Sequence, residues 1–173
     1  MDLTSLATEL VAVLKEKHIT ISSCESFTAG LFCSTIADVP GASAVLKGGV
    51  VSYATEIKES VVHVDSDVIR TYGVISHECA IEMAKQAKVL LKSDLCVSFT
   101  GNAGPDAWEG KPAGCIYCAI AYQGDIKGYD LQVDLPRNEL RQYAVAFILK
   151  EVYDIVTNSK GVEEYERKEN GSC

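Results

Sequence analysis

No stretch of this sequence approaches the ~18 consecutive apolar residues that a membrane-spanning helix needs, so no membrane span is expected. Basic residues are outnumbered: 16 Lys and Arg against 24 Asp and Glu give a formal net charge of −8. Phosphate backbones are held by Lys and Arg, so nucleic acid is not the expected partner. A small anionic ligand is still compatible, because one pocket can be basic in an acidic protein. Histidine is scarce, with three in 173 residues. His18 precedes a strand, His63 follows a short helix and His77 sits at a helix start, so a Ser-His-Asp triad is not expected. Also absent are H-E-x-x-H, G-x-G-x-x-G, the P-loop and the G-x-S-x-G elbow. Their absence removes the commonest signatures of zinc proteases, dinucleotide binders, P-loop NTPases and α/β-hydrolases.

Cysteine is not scarce, but its placement argues against both disulfides and zinc. Seven are present. Cys33 and Cys79 fall in helical patterns, and Cys96, Cys115 and Cys118 in strand-like runs. The C-x-x-C formed by Cys115 and Cys118 lies in "GCIYCAIAY", where alternation sends the two to opposite faces. No second Cys/His pair follows at zinc spacing. Reduced, buried cysteines acting as small hydrophobes fit better. The odd count and the acidic, amphipathic start "MDLTSLATELVAVLKEKH" match a reducing cytoplasm rather than a secretory signal. No metal and no cofactor is expected.

What is present is a packed core. A hydrophobic content of 47% and a mean hydropathy of +0.09 suit one domain of this length. Residues 4–17 have helical spacing, with Thr4 as a possible cap. "HITISSC" reads as a strand, and "AGLFCSTIADV" as a helix stopped by Pro40-Gly41. "GGVVSYA" is β-rich. "TEIKESVV", capped by Thr55, and "DSDVIRTYG", closed by Gly73, are short helices. Ser76 caps "HECAIEMAKQAKVLLKS". "DLCVSFT" is a buried strand running into a Gly-rich loop. "AGCIYCAIAY" and "IKGYDLQVD" form a hairpin, and "RNELRQYAVAFILKEVYDIV" a closing helix. This order predicts a three-layer α/β/α sandwich with a mixed sheet, as one domain over residues 1–157, with 158–173 a polar, frayed tail. Apolar residues on more than one face of 141–156 also suggest a homo-oligomer, most simply a dimer.

Three polar segments follow strand ends: "CESFTAG", "SYATEIK" and "TGNAGP". Strand carboxyl ends of an open α/β sheet share one edge, and ligands bind there. That groups Ser26 and Thr28 with Tyr53, Thr55 and Lys58 and with Thr100, Gly101 and Asn102. Each has a plain alternative. Ser and Thr cap helices, Lys58 suits a solvated helix face, and Gly101 and Gly104 permit a tight turn. The chemical alternative is a serine activated by a neutral lysine, whose pKa burial or a neighbouring cation must lower. Tyr53 would then relay or orient the proton, and the glycine loop would offer N–H groups to an oxyanion.

Five ordered motifs, "CESFTAG", "GGVVSYATEIK", "GVISHECAIEMA", "SFTGNAGPD" and "KPAGCIYCAIA", closely resemble the CinA C-terminal domain family, which includes stand-alone nicotinamide mononucleotide deamidases. The resemblance runs from about residue 5 to 155. It implies an α/β/α fold and metal-free hydrolysis of a nucleotide carboxamide to the acid and ammonia. By position, the family's E-S-x-T-x-G falls on Glu25, Ser26, Thr28 and Gly30, with Ser26 as nucleophile. Its Y-x-x-x-x-K falls on Tyr53 and Lys58, with Lys58 as base. The small-residue turn falls on Gly41 and Ser43, making Ser43 a second serine for the site. The G-x-A-G-P loop falls on Gly101, Ala103, Gly104 and Pro105. The arginines of the last helix, Arg137 and Arg141, would hold the ligand phosphate, and a cation there would also depress the Lys58 pKa. Departures are Phe27, Ala29, Asn102 and the Ala107-Trp108-Glu109 run. They motivate the alternative of a nucleotide-binding or regulatory domain that has lost turnover. Larger CinA proteins add an N-terminal pyrophosphatase domain, for which this chain is too short.

Overall fold

The computed structural model describes residues 2–169. In chain order the elements are α1 (Leu3–Glu16), β1 (Ile21–Glu25), α2 (Leu31–Ala37), a 3-10 turn (Ala42–Ala44), β2 (Leu46–Val51), α3 (Thr55–Ser60), α4 (Ser66–Tyr72), α5 (His77–Leu91), β3 (Leu95–Gly101), β4 (Cys115–Tyr122), β5 (Asp125–Gln132) and α6 (Arg137–Glu169). The sheet order is β2-β1-β3-β4-β5. β2, β1 and β3 run parallel, and β4 and β5 are added antiparallel. The expected three-layer, mixed-sheet domain is thus the observed one.

Period-two alternation assigns the layers. Leu95, Val97 and Phe99 of β3 join Ile116, Cys118 and Ile120 of β4 in one core, with α1, α2 and α6 over it. The opposite face carries α5: Ala119 and Ala121 meet its Ala80 and Ala84, while Cys24 and Cys96 meet Cys79 and Met83. Ser98, on that face, donates to the Ala80 carbonyl at 2.6 Å. Cys118 lies in the first core and Cys115 on the other face, beside the Tyr117 hydroxyl. The six cysteines among the described residues are free thiols. The chain leaves β1 through α2 on one face and returns from β2 through α5 on the other. Two crossovers of one hand running in opposite directions must do so. The switch sits at β1, whose carboxyl end opens between the two connections.

Local readings differ from the structure in instructive ways. Asp2, not Thr4, caps α1, its carboxylate accepting from Thr4 and Ser5 N–H. Thr55 is the first residue of α3 rather than its cap. Ser76 does cap α5, accepting from Cys79 N–H, and Gly73 closes α4 at φ 80°. β2 ends at Val51, earlier than the β-rich run suggested. α6 continues to Glu169 and so takes in most of the segment read as a frayed tail. Its Glu, Lys and Arg residues are good helix formers; residues 170–173 lie outside the described residues. Of the apolar residues of 141–156, Ala144, Val145, Ile148, Leu149, Val152 and Val156 are buried in the first core. Phe147 meets Tyr129 edge-on. Tyr143, Phe147, Tyr153 and Ile155 of the same stretch stay partly exposed. No helix among the described residues is long and apolar enough to cross a membrane.

Phe32 is fully buried at the start of α2 and packs on Phe99, ring centroids 5.6 Å apart. Replacing such a side chain by Ala removes its transfer energy and leaves a cavity, about 3–5 kcal/mol together. Phe32→Ala should lower the unfolding free energy by that amount in urea titrations. Val89→Ala, on a side chain 70% exposed, should move it by no more than about 0.5 kcal/mol.

Candidate active site

The carboxyl ends of β1, β2 and β3 surround a cavity of about 560 Å³, within the range of small-molecule sites. Ser26, Tyr53, Lys58, Thr100, Gly101, Asn102, Ala103, Gly104 and Arg137 all line it. Glu25, Thr28, Gly30, Ser43 and Arg141 do not.

The nucleophile candidate is placed by alternation and by a buried carboxylate. β1 points Ile21, Ser23 and Glu25 toward α2 and the first core. The next residue, Ser26, therefore faces the α3 and α5 side. Its N–H donates to the Phe99 carbonyl at 2.9 Å, which extends the ladder one step beyond β1. Glu25, 1% exposed, is not a ligand group. One carboxylate oxygen accepts from Gly30 N–H (3.0 Å) and Phe32 N–H (3.1 Å), the other from Ser23 Oγ (2.9 Å) and Cys33 N–H (3.0 Å). It satisfies the free amides at the start of α2 and has no lone-pair direction left for substrate. Gly30 takes φ 91° at this junction. Ala29 takes φ 50°, a conformation that favours glycine.

The base candidate is Lys58, 1% exposed. Its Nζ lies 3.1 Å from Ser26 Oγ, 2.6 Å from the Ser52 carbonyl and 3.5 Å from the Tyr53 carbonyl. A neutral amine has two N–H groups and one lone pair. Carbonyls can only accept, so they take the two N–H groups, and the lone pair is left for the Ser26 hydroxyl. Burial lowers the Lys58 pKa from its ordinary value, since the ammonium loses water. The nearby Cys79, Cys24 and Glu109 act in the opposite sense. Burial also pushes the two thiols up, Cys79 to about 12 and Cys24 to about 11, so neither is anionic near neutral pH. Of the two expected causes, burial and a neighbouring arginine, burial is the one that acts.

Several assigned roles change. The Tyr53 hydroxyl accepts from Arg137 at 2.8 Å; the phenol is no relay to Lys58, which meets only the Tyr53 main chain. Arg137 also donates to the Gly104 carbonyl at 3.0 Å, tying the glycine loop to the start of α6. Arg141 instead donates to the Thr28 carbonyl at 2.8 Å and braces the turn after Ser26 from outside the cavity. The Thr28 hydroxyl is buried and has no partner among the described residues. Asn102 spends its side chain on its own loop: its amide donates to the Asp106 and Lys111 carbonyls and its oxygen accepts from Gly104 N–H. Thr100 donates to the Val74 carbonyl at 2.6 Å. Ser43 is exposed in the 3-10 turn that enters β2, at the amino end of the parallel strands and so across the sheet from Ser26.

Sequence reasoning missed three contributors. The Ser52 carbonyl, fixed by Ser52 N–H donating to the Glu25 carbonyl at 2.8 Å, has no side-chain signature. Val74 and Ile75 form a wall of the cavity and carry no chemical signal. Glu109 accepts from Ile75 N–H at 3.0 Å and pins the 102–111 loop to that wall. Of the amides around the nucleophile, those of Ser26, Ala29, Gly30 and Leu31 are already bonded within the chain, as are those of Asn102 and Gly104. The Phe27 and Ala103 amides have no partner among the described residues, and both residues line the cavity. The Phe27 side chain is 4% exposed and belongs to the first core, so its bulk does not fill the site. Gly101 is required by close approach: a Cβ there would lie 2.6 Å from the Cys115 carbonyl oxygen. His77 pairs with Asp130 of β5, outside the cavity lining.

Comparison with known proteins fits this architecture. The family model described as the CinA C-terminal domain matches residues 3–156. A competence-damage inducible protein of Listeria monocytogenes serotype 4a is 46% identical over 142 residues, covering 82% of this chain and 34% of that protein. Its counterpart in Bacillus subtilis strain 168 is 41% identical over 153 residues, covering 86% and 37%. The chain thus spans about a third of the length of these relatives. Among solved structures, a CinA superfamily protein from Klebsiella pneumoniae 700603 superposes with a TM-score of 0.89 at 23% identity, covering 91% of this chain and 99% of that one. The competence/damage inducible protein CihA from Agrobacterium tumefaciens gives 0.84 at 27%, covering 88% and 94%. With the family model matched over nearly the whole chain and the fold shared, this protein belongs to the CinA C-terminal domain family.

Proposed function

We propose that the chain is a serine amidohydrolase that converts nicotinamide mononucleotide to nicotinic acid mononucleotide and ammonia. The observation that carries the chemistry is the 3.1 Å approach of the buried Lys58 amine to Ser26 Oγ, with two carbonyls occupying the amine's other directions. The substrate rests on the resemblance to deamidases of the family. In the first step Ser26 Oγ bonds to the carboxamide carbon while Lys58 Nζ takes the hydroxyl proton. The tetrahedral intermediate collapses with cleavage of the C–N bond, and Lys58 returns that proton to the leaving nitrogen, releasing ammonia. Water then attacks the Ser26 ester, giving its proton to Lys58. Release of the acid returns the proton to Ser26. No redox change occurs and no metal is called for.

The free Phe27 and Ala103 amides are the donors this reading gives to the oxyanion, an arrangement worth about 3 kcal/mol per donor. Ala103 belongs to the glycine loop expected to supply them, while the Ala29 and Gly30 amides at the helix start are already bonded. Arg137 keeps three of its five N–H groups for a phosphate after bonding Gly104 and Tyr53. The burial of Phe27 in the core weighs against the alternative of a domain that has lost turnover. A homo-oligomer and a cytoplasmic setting belong to the same proposal, the first through the resemblance and the apolar residues of 141–156, the second through cysteines that stay reduced.

Ser26→Ala should abolish ammonia release while calorimetry still detects nucleotide binding, because the hydroxyl is used in the covalent step. Ser43→Ala should turn over normally; inactivity there with an active Ser26→Ala would remove the assignment of nucleophile.

Activity should rise with pH. Only the neutral amine can accept a proton, and burial places its ionisation below the ordinary lysine range, so the active fraction grows as pH climbs through the lowered pKa. Lys58→Ala should lose this limb with activity falling at least about a hundredfold, the usual scale of a general base. Lys58→Arg should be as inactive, since a guanidinium keeps its proton.

Tyr53→Phe tests the correction to that residue. Losing one exposed hydrogen bond to Arg137 should raise KM a few-fold, on the order of 1 kcal/mol, with kcat nearly unchanged. A hundredfold drop in kcat would restore the relay.

A further inference from the structure

Trp108 is the single tryptophan of the chain. It is 64% exposed and yet lines the same cavity as Ser26 and Lys58. A large apolar ring left in water at the rim of a reactive pocket calls for a ligand surface. Its backbone is not loose. Trp108 and Lys111 exchange two hydrogen bonds, N–H to carbonyl in both directions at 3.0 and 2.8 Å. The next residue, Glu109, fastens this small bridge to the Ile75 amide, and Asn102 holds both its flanks through the Asp106 and Lys111 carbonyls. No aromatic ring or cation among the described residues stacks on the indole. The nearest loop cation, Lys111, lies instead 5.6 Å from the Tyr117 ring centroid.

The charges beside it select the sign of the ligand. Glu56 and Asp106 line the cavity, and neither carboxylate is in an ion pair among the described residues. The one exposed cation in the lining is Arg137, already bonded to Tyr53 and Gly104. An indole face under a net negative rim attracts a flat cation. Resting on the amidase reading above, we infer that Trp108 is a specificity-determining platform: its indole stacks on the positively charged, N-substituted pyridine ring and discriminates it from a neutral nicotinamide. The ring would lie over the indole with its carboxamide turned inward to Ser26 and its ribose phosphate toward Arg137.

The lone tryptophan makes the contact directly readable. Ser26→Ala protein, excited at the indole band, should show saturable fluorescence quenching by nicotinamide mononucleotide and by its dephosphorylated riboside. Neutral nicotinamide at equal concentration should give only the non-saturating, collisional loss. In the otherwise wild-type enzyme, Trp108→Ala should raise KM for the nucleotide about tenfold, within the range of a partly desolvated cation–π contact, and Trp108→Phe should recover most of that loss. Ammonia release by the wild type with no saturable quench, or with nicotinamide quenching as strongly as the riboside, would overturn this inference and leave the amidase reading standing. Absence of both ammonia release and calorimetric binding would overturn the amidase reading, and this inference with it.

Discussion

The site depends on one buried residue that is not part of its chemistry. Glu25 ends β1, and a carboxylate taken out of water at that point must find donors or destabilise the fold. It finds four: the amides of Gly30, Phe32 and Cys33, and the Ser23 hydroxyl. Satisfying them draws the start of α2 against the strand end and bends residues 26–30 into one tight turn. Its own carbonyl accepts from Ser52 N–H, and that fixes the Ser52 carbonyl to which Lys58 donates. Ser26 and Lys58, the proposed nucleophile and base, are 32 residues apart, and both are referenced to the two ends of this single residue.

The rest of the cavity is a set of loops braced by main-chain acceptors rather than by ion pairs. Arg137 holds the Gly104 carbonyl, Arg141 the Thr28 carbonyl, Thr100 the Val74 carbonyl, and Asn102 two carbonyls of its own loop. Each bond removes a polar group that would otherwise be left unsatisfied as the loop packs down. This lets long, irregular segments keep a defined shape around a reactive pair, which positioning demands. Several polar residues that look like ligand groups by type are therefore framework. Asn102 and Glu25 share that status, since their donors or acceptors are spent within the chain.

Lys58 shows why the same residue type reads differently in a sequence and in a fold. Position 58 follows Thr55, Glu56 and Ile57 at the start of a short helix, a pattern shared by any solvated lysine. Yet Lys58 is 1% exposed, and the groups near it, Cys79, Cys24 and Glu109, come from segments distant in sequence and invisible to local spacing. Tyr53 is the converse case. Its spacing to Lys58 suggested a phenol-to-amine link, but the strand turns after Val51, the carbonyl faces the amine, and the ring swings out to Arg137.

By itself the sequence determined the three-layer α/β/α class, the mixed sheet and the edge on which the polar segments gather. Those follow from hydrophobic periodicity and from the handedness of crossovers, which are local or nearly so. It also singled out Ser26 and Lys58 as a pair, through ordered motifs as much as through chemistry. Tertiary structure alone decided which atoms meet. It put Ser43 at the far end of the parallel strands and Arg141 behind the Ser26 turn. It made Glu25 a tether and gave the Ser52 carbonyl, which has no side-chain signature at all, a place in the site. The physical reason is that a hydrogen-bond donor commits to whichever acceptor the packed chain brings within about 3 Å, and that choice is made by residues distant in sequence.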